Sequence, residues 1–288
     1  MAEQARWLEL AGIRIRVESA GGLSGNTGIL SNFLTEEGPV SHRFFAEIAE
    51  QMEPCGGTEV YASGAVRVYR SGDAIVRYIG EVAADPAKAY IRVIRRGQES
   101  WAQYKRSALQ EGITAKLLLN AMDLPHLLTV HNGFLIHSAF IEYNGRAILF
   151  TAPSETGKST QAQLWCDHMG AKLMNGDRAA VRIVNGQVLA CGVPFSGSSP
   201  VRKNAMLPLG AIVYLSQAPE NTIVRLRGVR AFRRVWEGCT VDVWDREDVE
   251  LATETVAAVV GKVPVYHLSC TPDIRAVELL KNTMEVEK

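Results

Sequence analysis

The sequence carries no excess of charge of either sign. Its 288 residues contain 31 Lys and Arg against 31 Asp and Glu, so the formal net charge at pH 7 is zero. A protein that binds nucleic acid or a membrane surface through bulk charge needs a basic excess, so we expect neither partner. No apolar run approaches the length of a membrane span, and the first residues lack the apolar core of a signal peptide.

Cysteine is sparse and irregularly placed. The five cysteines form no Cys-x-x-Cys pair, and they are Cys55, Cys166, Cys191, Cys239 and Cys270. This spacing argues against a zinc site and against a disulfide framework. We therefore expect buried thiols in a reducing cytoplasm. The content of 47% hydrophobic and 22% charged residues predicts a soluble globular protein with one large or two medium domains.

A possible phosphate-binding motif occupies the middle of the chain. The loop 151–160 (TAPSETGKST) follows the apolar segment 147–150, which predicts a buried strand, and precedes 161–165, which predicts the opening of a helix. A strand, a tight loop ending in Gly-Lys-Ser and a helix form the P-loop arrangement. The usual first glycine is Ala152 here, which predicts a negative φ or a slightly wider loop rather than a lost site.

The chemistry of this loop predicts ATP and Mg²⁺ as cofactors. Successive backbone N–H groups and the N-terminus of a helix together attract phosphate oxygens. The residues predicted to hold the nucleotide are Ser154, Glu155, Thr156, Gly157, Lys158, Ser159 and Thr160. The ammonium of Lys158 would reach the β- and γ-phosphates, and the hydroxyl of Ser159 would ligate the metal.

Two further side chains are candidates for the same site. Asn144-Gly145 predicts a hairpin that brings the strand carrying His137 beside the strand before the loop. A histidine there can be a core residue or can lie close to the phosphates. Asp177 ends a short apolar strand about twenty residues after Lys158. We expect Asp177 to hold the metal or to take a proton from an acceptor hydroxyl, the alternative being an Asn-Gly-Asp turn.

A long polar loop could close over a substrate. It spans residues 192–204 and ends in Arg202 and Lys203. Such a loop can present a cation to a phosphoryl group in transfer, and Arg202 is the cation we assign to this role. Ordinary exposed cations are the alternative.

The first part of the chain predicts a different architecture. Residues 1–105 contain alternating apolar and polar residues and a clear hairpin at 65–79, so we expect a β-rich N-terminal domain. The glycine-rich segment 21–28 is predicted to be a connection, and its composition would suit a mobile loop. Near the C-terminus, Pro264 predicts that 263–268 is an edge strand.

Residues from about 127 to 280 resemble the HPr kinase/phosphorylase-like group, whose fold is shared with phosphoenolpyruvate carboxykinase. The segments that carry the resemblance are 135–139 (LIHSA), 152–160 (APSETGKST), 175–178 (NGDR), 192–197 (GVPFSG) and 263–268 (VPVYHL). Their order and spacing are similar to those of HPr-kinase-related proteins found beside peptide-modification genes, including kinases of lasso-peptide precursors.

The resemblance implies an α/β (α+β) fold in which the β-rich domain is followed, over residues 106–288, by a carboxykinase/HPr kinase-like P-loop domain with a mixed sheet. It implies that Lys158 binds phosphate, that Ser159 binds the metal and that His137 lies at the active site. The family commonly has two adjacent aspartates where this chain has Gly176 and Asp177, so one acid is missing. Relatives often assemble, so the resemblance also suggests a homo-oligomer of unspecified size.

We therefore expect a cytoplasmic Mg-ATP-dependent kinase that transfers a phosphoryl group to a serine-like hydroxyl on a peptide, a protein or a small molecule. Asp177, His137 and Arg202 would be its catalytic residues, with Ser159 and Asp177 at the metal. Three alternatives remain. They are a nucleotide-binding regulator without turnover, which the missing acid permits, a carboxykinase-like lyase, and a peptide-binding module that uses the N-terminal sheet.

Overall fold

The computed structural model describes residues 4–20, 28–81, 85–109, 112–195 and 199–286. The predicted connection at 21–28 falls almost entirely outside these residues, as does the 196–198 part of the loop at 192–204. The chain divides into two compact units, Met1–Asp123 and Leu124–Lys288. This division lies later in the chain than the boundary predicted between residues 105 and 106.

The first unit is built on one nine-stranded sheet. Its strands are β1 (Gln4–Leu10), β2 (Ile13–Ala20), β3 (Leu34–Thr35), β4 (His42–Ala49), β5 (Thr58–Ala62), β6 (Val66–Ser71), β7 (Ala74–Gly80), β8 (Ala89–Arg96) and β9 (Glu99–Lys105). Their spatial order is β3-β1-β2-β4-β9-β8-β7-β6-β5. The pairs β2–β4 and β4–β9 are parallel, and the other pairs are antiparallel. The predicted β-rich character of this region and the hairpin at 65–79 are confirmed.

One short helix belongs to this first unit and explains the later boundary. Helix α1 (Ala115–Ala121) begins after Thr114, whose hydroxyl accepts a hydrogen bond from the N–H of Leu117. The guanidinium of Arg77 on β7 donates to the carbonyl oxygen of Ala121 at 2.7 Å and pairs with Asp123 at 3.3 Å. Both partners are largely buried, so the polar end of the helix is held against the sheet.

The second unit is a mixed sheet with helices on both faces. Its strands are β10 (Gly133–Tyr143), β11 (Arg146–Thr151), β12 (Lys172–Asn175), β13 (Arg178–Val184), β14 (Gln187–Cys191), β15 (Met206–Gln217), β16 (Thr222–Leu226), β17 (Cys239–Thr240) and β18 (Val265–Cys270). Its helices are α2 (Leu124–Thr129), α3 (Lys158–Met169), α4 (Gly228–Trp236), α5 (Arg246–Lys262) and α6 (Ile274–Val286).

The path through this sheet is β11-β10-β13-β14-β15-β18-β16, and β12 and β17 also pair with β10. Strand β15 pairs with β14 through its first residues and runs parallel to β11 and β18 through the rest. The carboxyl ends of β11, β15 and β18 therefore meet at one edge of the sheet. Such an edge is the usual place for a ligand site in open α/β sheets.

The apolar residues of the central strands alternate between two cores. On β11, Leu149 packs in the cluster that includes α4 and α5, whereas Ile148 and Phe150 pack in the cluster that includes α3 and α6. A strand that is covered on both faces is apolar on both faces, as the segment 147–150 predicts. The predicted α/β (α+β) class is thus confirmed, with two large mixed sheets.

The predicted edge position of 263–268 is wrong. Strand β18 lies between β15 and β16 and pairs with both. Pro264 precedes the first residue of the strand, so its missing N–H removes no bond from the ladder. Its carbonyl oxygen still accepts from the N–H of Ile212 at 3.1 Å.

No helix in the described part of the chain combines the length and the apolar character that crossing a bilayer requires.

Candidate functional site

The loop between β11 and α3 has the geometry of a tight turn into a helix. Strand β11 ends at Thr151, and α3 begins at Lys158, so the predicted order of strand, loop and helix is present. Glu155 and Gly157 adopt left-handed conformations, with φ of 63° and 111°, whereas Ala152 keeps a negative φ, as predicted. No atom lies near the position of a Cβ at Gly157, so glycine is favoured there by its conformation and not by space.

The side chain of Lys158 folds back over this loop. Its Nζ donates to the carbonyl oxygens of Ala152 at 3.1 Å and Pro153 at 3.0 Å. The residue is buried, and this burial lowers the pKa of the ammonium while the nearby carboxylate of Asp177 acts in the opposite direction. A buried lysine at a helix N-terminus provides a fixed positive charge beside N–H groups that have no helical partner.

His137 is tied to the strand that leads into the loop. Its carbonyl oxygen accepts from the hydroxyl of Thr151 at 3.0 Å, and its N–H donates to the carbonyl oxygen of Gly238 at 2.8 Å. The imidazole Nε2 lies 3.6 Å from Oδ1 of Asp177. Burial lowers the pKa of His137, the charges of Lys158 and Arg178 lower it further, and Asp177 opposes them.

The structure therefore brings together three of the predicted site residues. Asp177 lies within ion-pair distance of His137, and its Oδ2 lies 3.4 Å from Nε of Arg178. Electrostatic coupling links Lys158 to both Asp177 and His137. A buried ammonium, an imidazole and a carboxylate in one group can bind an anion and exchange a proton.

Asn175 organises the turn that carries the acid, a role for which the sequence predicts only an Asn-Gly-Asp turn. Its Oδ1 accepts from the N–H groups of Asp177 at 2.9 Å and Arg178 at 3.1 Å. Its Nδ2 donates to the carbonyl oxygens of Val193 at 3.0 Å and Phe195 at 2.7 Å. The side chain is fully buried, so one amide joins the acid turn to the start of the polar loop. An asparagine that ends a strand before Gly-Asp is the sequence signal for this Asx turn.

The far end of the same loop returns to this turn. Arg202 forms an isolated antiparallel bridge with Asn175, and the N–H of Lys203 donates to the carbonyl oxygen of Met174 at 3.1 Å. The backbone of Arg202 thus lies beside the residue that positions Asp177. Arg202 is half-buried, whereas Lys203 is exposed.

Position 176, where the chain has a glycine, leaves no room for a side chain. A Cβ at Gly176 would lie 2.9 Å from the Cβ of Ser199, which is closer than real side chains approach. A side chain at position 176 would therefore require the loop to move. Glycine at position 176 thus permits the close approach of Ser199.

The two predicted metal ligands, Ser159 and Asp177, both carry oxygen donors. Among residues 4–20, 28–81, 85–109, 112–195 and 199–286, no group of three or more His, Cys, Asp or Glu side chains could hold a metal by itself. Magnesium in nucleotide sites commonly takes one or two protein oxygens and completes its shell with phosphates and water. Ser159, exposed on the first turn of α3, and the partly exposed Asp177 supply oxygens of this kind.

A cleft borders the loop between β11 and α3. It has a volume of about 390 Å³ and is lined by Thr156, Gly157 and Gln161 together with the carboxyl ends of β15 and β18. The Nε2 of Gln161 donates to Sγ of Cys270 at 3.4 Å, whereas its buried Oε1 has no partner among the described residues. The predicted residues Glu155 and Thr160 also line this cleft, and Ser154 lines a neighbouring one.

Comparison with known proteins gives one family match. The sequence model described as SynChlorMet cassette protein ScmC matches residues 110–280, which is more than half of the chain. Among the curated proteins, none matches. One similar solved structure is the Hpr(Ser) kinase/phosphatase from Coxiella burnetii, with 10% identity and a TM-score of 0.33 over 53% of this chain and 92% of that one. A similarity this distant does not establish a shared activity.

Proposed function

This chain belongs to the family of the SynChlorMet cassette protein ScmC, and we propose that it is a magnesium- and ATP-dependent kinase. Its acceptor would be a serine-like hydroxyl on a peptide, a protein or a small molecule. The proposal includes the assignment of the second unit as a P-loop domain of the carboxykinase/HPr kinase type.

One observation carries this proposal. The ammonium of Lys158 lies over a loop with two left-handed residues, at the first residue of a helix, in electrostatic contact with Asp177 and His137. A loop and helix N-terminus of this kind favour a polyphosphate. An adjacent acid and imidazole favour the activation of a hydroxyl, which simple phosphate binding does not require.

Each residue of the site would have its own role in the transfer. Bound Mg-ATP would supply the transferable γ-phosphoryl group and the charge of the metal. Lys158 would neutralise phosphate charge, and Ser159 and Asp177 would hold the metal. Asp177 or His137 would accept the proton of the acceptor hydroxyl. His137 is suited to this because its lowered pKa keeps the imidazole neutral at pH 7. Arg202 would add positive charge from the loop.

The nucleoside would extend into the cleft beside α3. This cleft adjoins Thr156 and Gly157 and lies at the carboxyl ends of parallel strands, which is where nucleotides bind in many α/β sheets. Its volume of about 390 Å³ is within the usual range for small-molecule sites.

A nucleotide-binding regulator is the second candidate, and Gly176 is the observation that favours it. With one acid in place of two, Asp177 must serve both the metal and the proton unless His137 accepts the proton. If neither residue accepts it, nucleotide would bind without rapid transfer, and occupancy of the loop would be the signal.

A measurement of turnover distinguishes a kinase from a nucleotide-binding regulator. Wild-type protein would be incubated with Mg-ATP and serine-containing peptides or small hydroxyl compounds, and ADP release and product mass would be measured. We expect transfer, and we expect Asp177→Asn to slow it about 100-fold or more, because general-base catalysis contributes about this much. Asp167→Asn, an exposed acid on α3, is the matched control and should retain activity. Nucleotide binding without turnover in the wild type would favour the regulator, and full activity in Asp177→Asn would contradict the role given to Asp177.

A further inference from the structure

A second cavity lies at the opposite end of β11 from the phosphate loop. It has a volume of about 240 Å³ and lies between the sheet and the later turns of α3 and α6. Arg146, the first residue of β11, lines it, whereas Thr151, the last, adjoins the loop. Five residue steps along the strand separate these positions by about 17 Å, so the cavity is distinct from the candidate active site. Its volume corresponds to about eight water molecules, which suits a ligand with one ring.

The walls of the cavity are mainly aromatic and apolar. Tyr143 and Trp165 meet edge to face with their ring centroids 5.0 Å apart, and Tyr266 lines the same space. Trp165 is completely buried, yet its indole Nε1–H has no hydrogen-bond partner among the described residues. An unused buried donor is unfavourable in a native protein, so this N–H is available for a hydrogen bond to a ligand.

The rim of the cavity is basic. Arg146, Arg225 and Lys281 line it, and the one acid among the lining residues is Glu285. Glu285 pairs with Lys281 at the long distance of 4.0 Å, and both belong to α6. The lining therefore carries a local excess of positive charge in a protein whose formal net charge is zero. A cavity lined by charge of one sign raises the local concentration of the opposite ion.

A glycine in the middle of a strand shapes this rim. A Cβ at Gly210 on β15 would lie 3.3 Å from both Cβ and Nε of Arg146 and 3.1 Å from the carbonyl oxygen of Ala147. Glycine inside a strand is unfavourable and often marks a place where another group passes closely. Here the side chain of Arg146 passes across Gly210, and its Nη2 lies 3.5 Å from the carbonyl oxygen of Leu209. The absence of a side chain at Gly210 thus leaves room for Arg146, which lines the cavity.

We propose that this cavity binds a small organic carboxylate with an aromatic or branched apolar body. The apolar part would lie against Trp165 and Tyr143, and the carboxylate would pair with Arg146 and Lys281. A guanidinium matches a carboxylate through two parallel N–H groups, which gives the site its preference for this anion. The inference is independent of the proposed kinase activity because no residue of the loop takes part.

Binding of a probe acid to the full chain tests the proposal. Phenylacetate, its neutral analogue phenylacetamide and inorganic phosphate would be titrated separately and followed by ligand-observed NMR and calorimetry. We expect saturable binding of phenylacetate and at least tenfold weaker binding of the other two. Saturating Mg-ATP should not displace phenylacetate. If phenylacetamide binds as tightly as phenylacetate, the proposed role of the basic residues is wrong. If inorganic phosphate binds as tightly as phenylacetate, the proposed role of the apolar walls is wrong.

Variants test the assignment of the residues. Arg146→Gln and Lys281→Gln should each weaken phenylacetate binding by tenfold or more, and the second variant serves if the first fails to fold. Arg246→Gln removes an exposed arginine that pairs with Glu250 on α5, and it should bind as the wild type does. Absence of saturable binding in the wild type, or unchanged affinity in both folded cavity variants, would overturn the proposal.

Discussion

His137 is the residue whose chemistry depends most on its neighbours. Burial lowers its pKa from 6.5, Lys158 and Arg178 lower it further, and Asp177 alone among the named groups acts in the other direction. The imidazole is therefore neutral at pH 7 and becomes protonated only when the pH falls through a value below 6.5. A protonated His137 would no longer accept a proton and would change the charge beside Asp177.

This titration predicts an acid limb in the pH profile of the proposed kinase. Its kcat/KM should fall as the pH decreases through the lowered pKa of His137, with a midpoint below pH 6.5. His137→Gln should remove this limb. His168→Gln, on the exposed end of α3, should leave the profile as it is in the wild type. A limb centred above pH 6.5, or the same limb in His137→Gln, would contradict the assignment.

Among individual residues, the sequence predicts those whose role follows from their immediate neighbours in the chain. Lys158 belongs to a recognisable loop, and Asp177 follows a short strand at a suitable spacing. The role of Asn175 could not be predicted in full because its Nδ2 bonds to carbonyl oxygens of Val193 and Phe195, 18 and 20 residues later. Nothing in the sequence indicates which backbone groups a buried amide will meet.

The side-chain amide of Asn175 joins the elements around the site. Strand β12 ends at Asn175, the acid turn follows it, and both ends of the loop at 192–204 return to it. Four hydrogen bonds converge on one buried side chain, so its removal leaves two donors and two acceptors without their partners.

Asn175→Ala should therefore lower the free energy of unfolding by at least about 3 kcal/mol, since four polar groups lose their partner and each that is buried costs about 1–3 kcal/mol. Urea unfolding followed by circular dichroism would measure the change. Asn282→Ala, on the exposed face of α6, is the control and should change the free energy of unfolding by less than about 0.5 kcal/mol. A loss below about 1 kcal/mol in Asn175→Ala would show that other contacts hold the turn.

The hairpins could be predicted from the sequence, whereas the pairing of strands that are distant in the chain could not. Asn144-Gly145 and Asn185-Gly186 take positive φ at both residues, the geometry that their sequence favours. The strands that flank Asn144-Gly145 pair as predicted, and those that flank Asn185-Gly186 form a second antiparallel hairpin. The central position of β18 depends on pairing with strands more than thirty residues away in the chain, and Pro264 indicated only that one N–H was absent.

At the scale of the whole molecule, the predicted site lies within one unit. Residues 137 to 202 contain every predicted site residue, and all belong to Leu124–Lys288. The predicted boundary at residue 105 followed the change from strand to helix pattern. The structure places α1 in the first unit because Arg77 bonds to the end of that helix, a contact that the local pattern could not reveal.

Calorimetric titration of the full chain with Mg-ATP is the most direct test of the central claim, that the loop at 151–158 holds a polyphosphate. The account predicts saturable binding to the wild type, at least tenfold weaker binding to Lys158→Ala, and unchanged binding to Lys172→Ala, which removes an exposed lysine paired with Glu142. Circular dichroism would verify that both variants are folded. Equal affinity of wild type and folded Lys158→Ala, or no binding to the wild type, would contradict the claim.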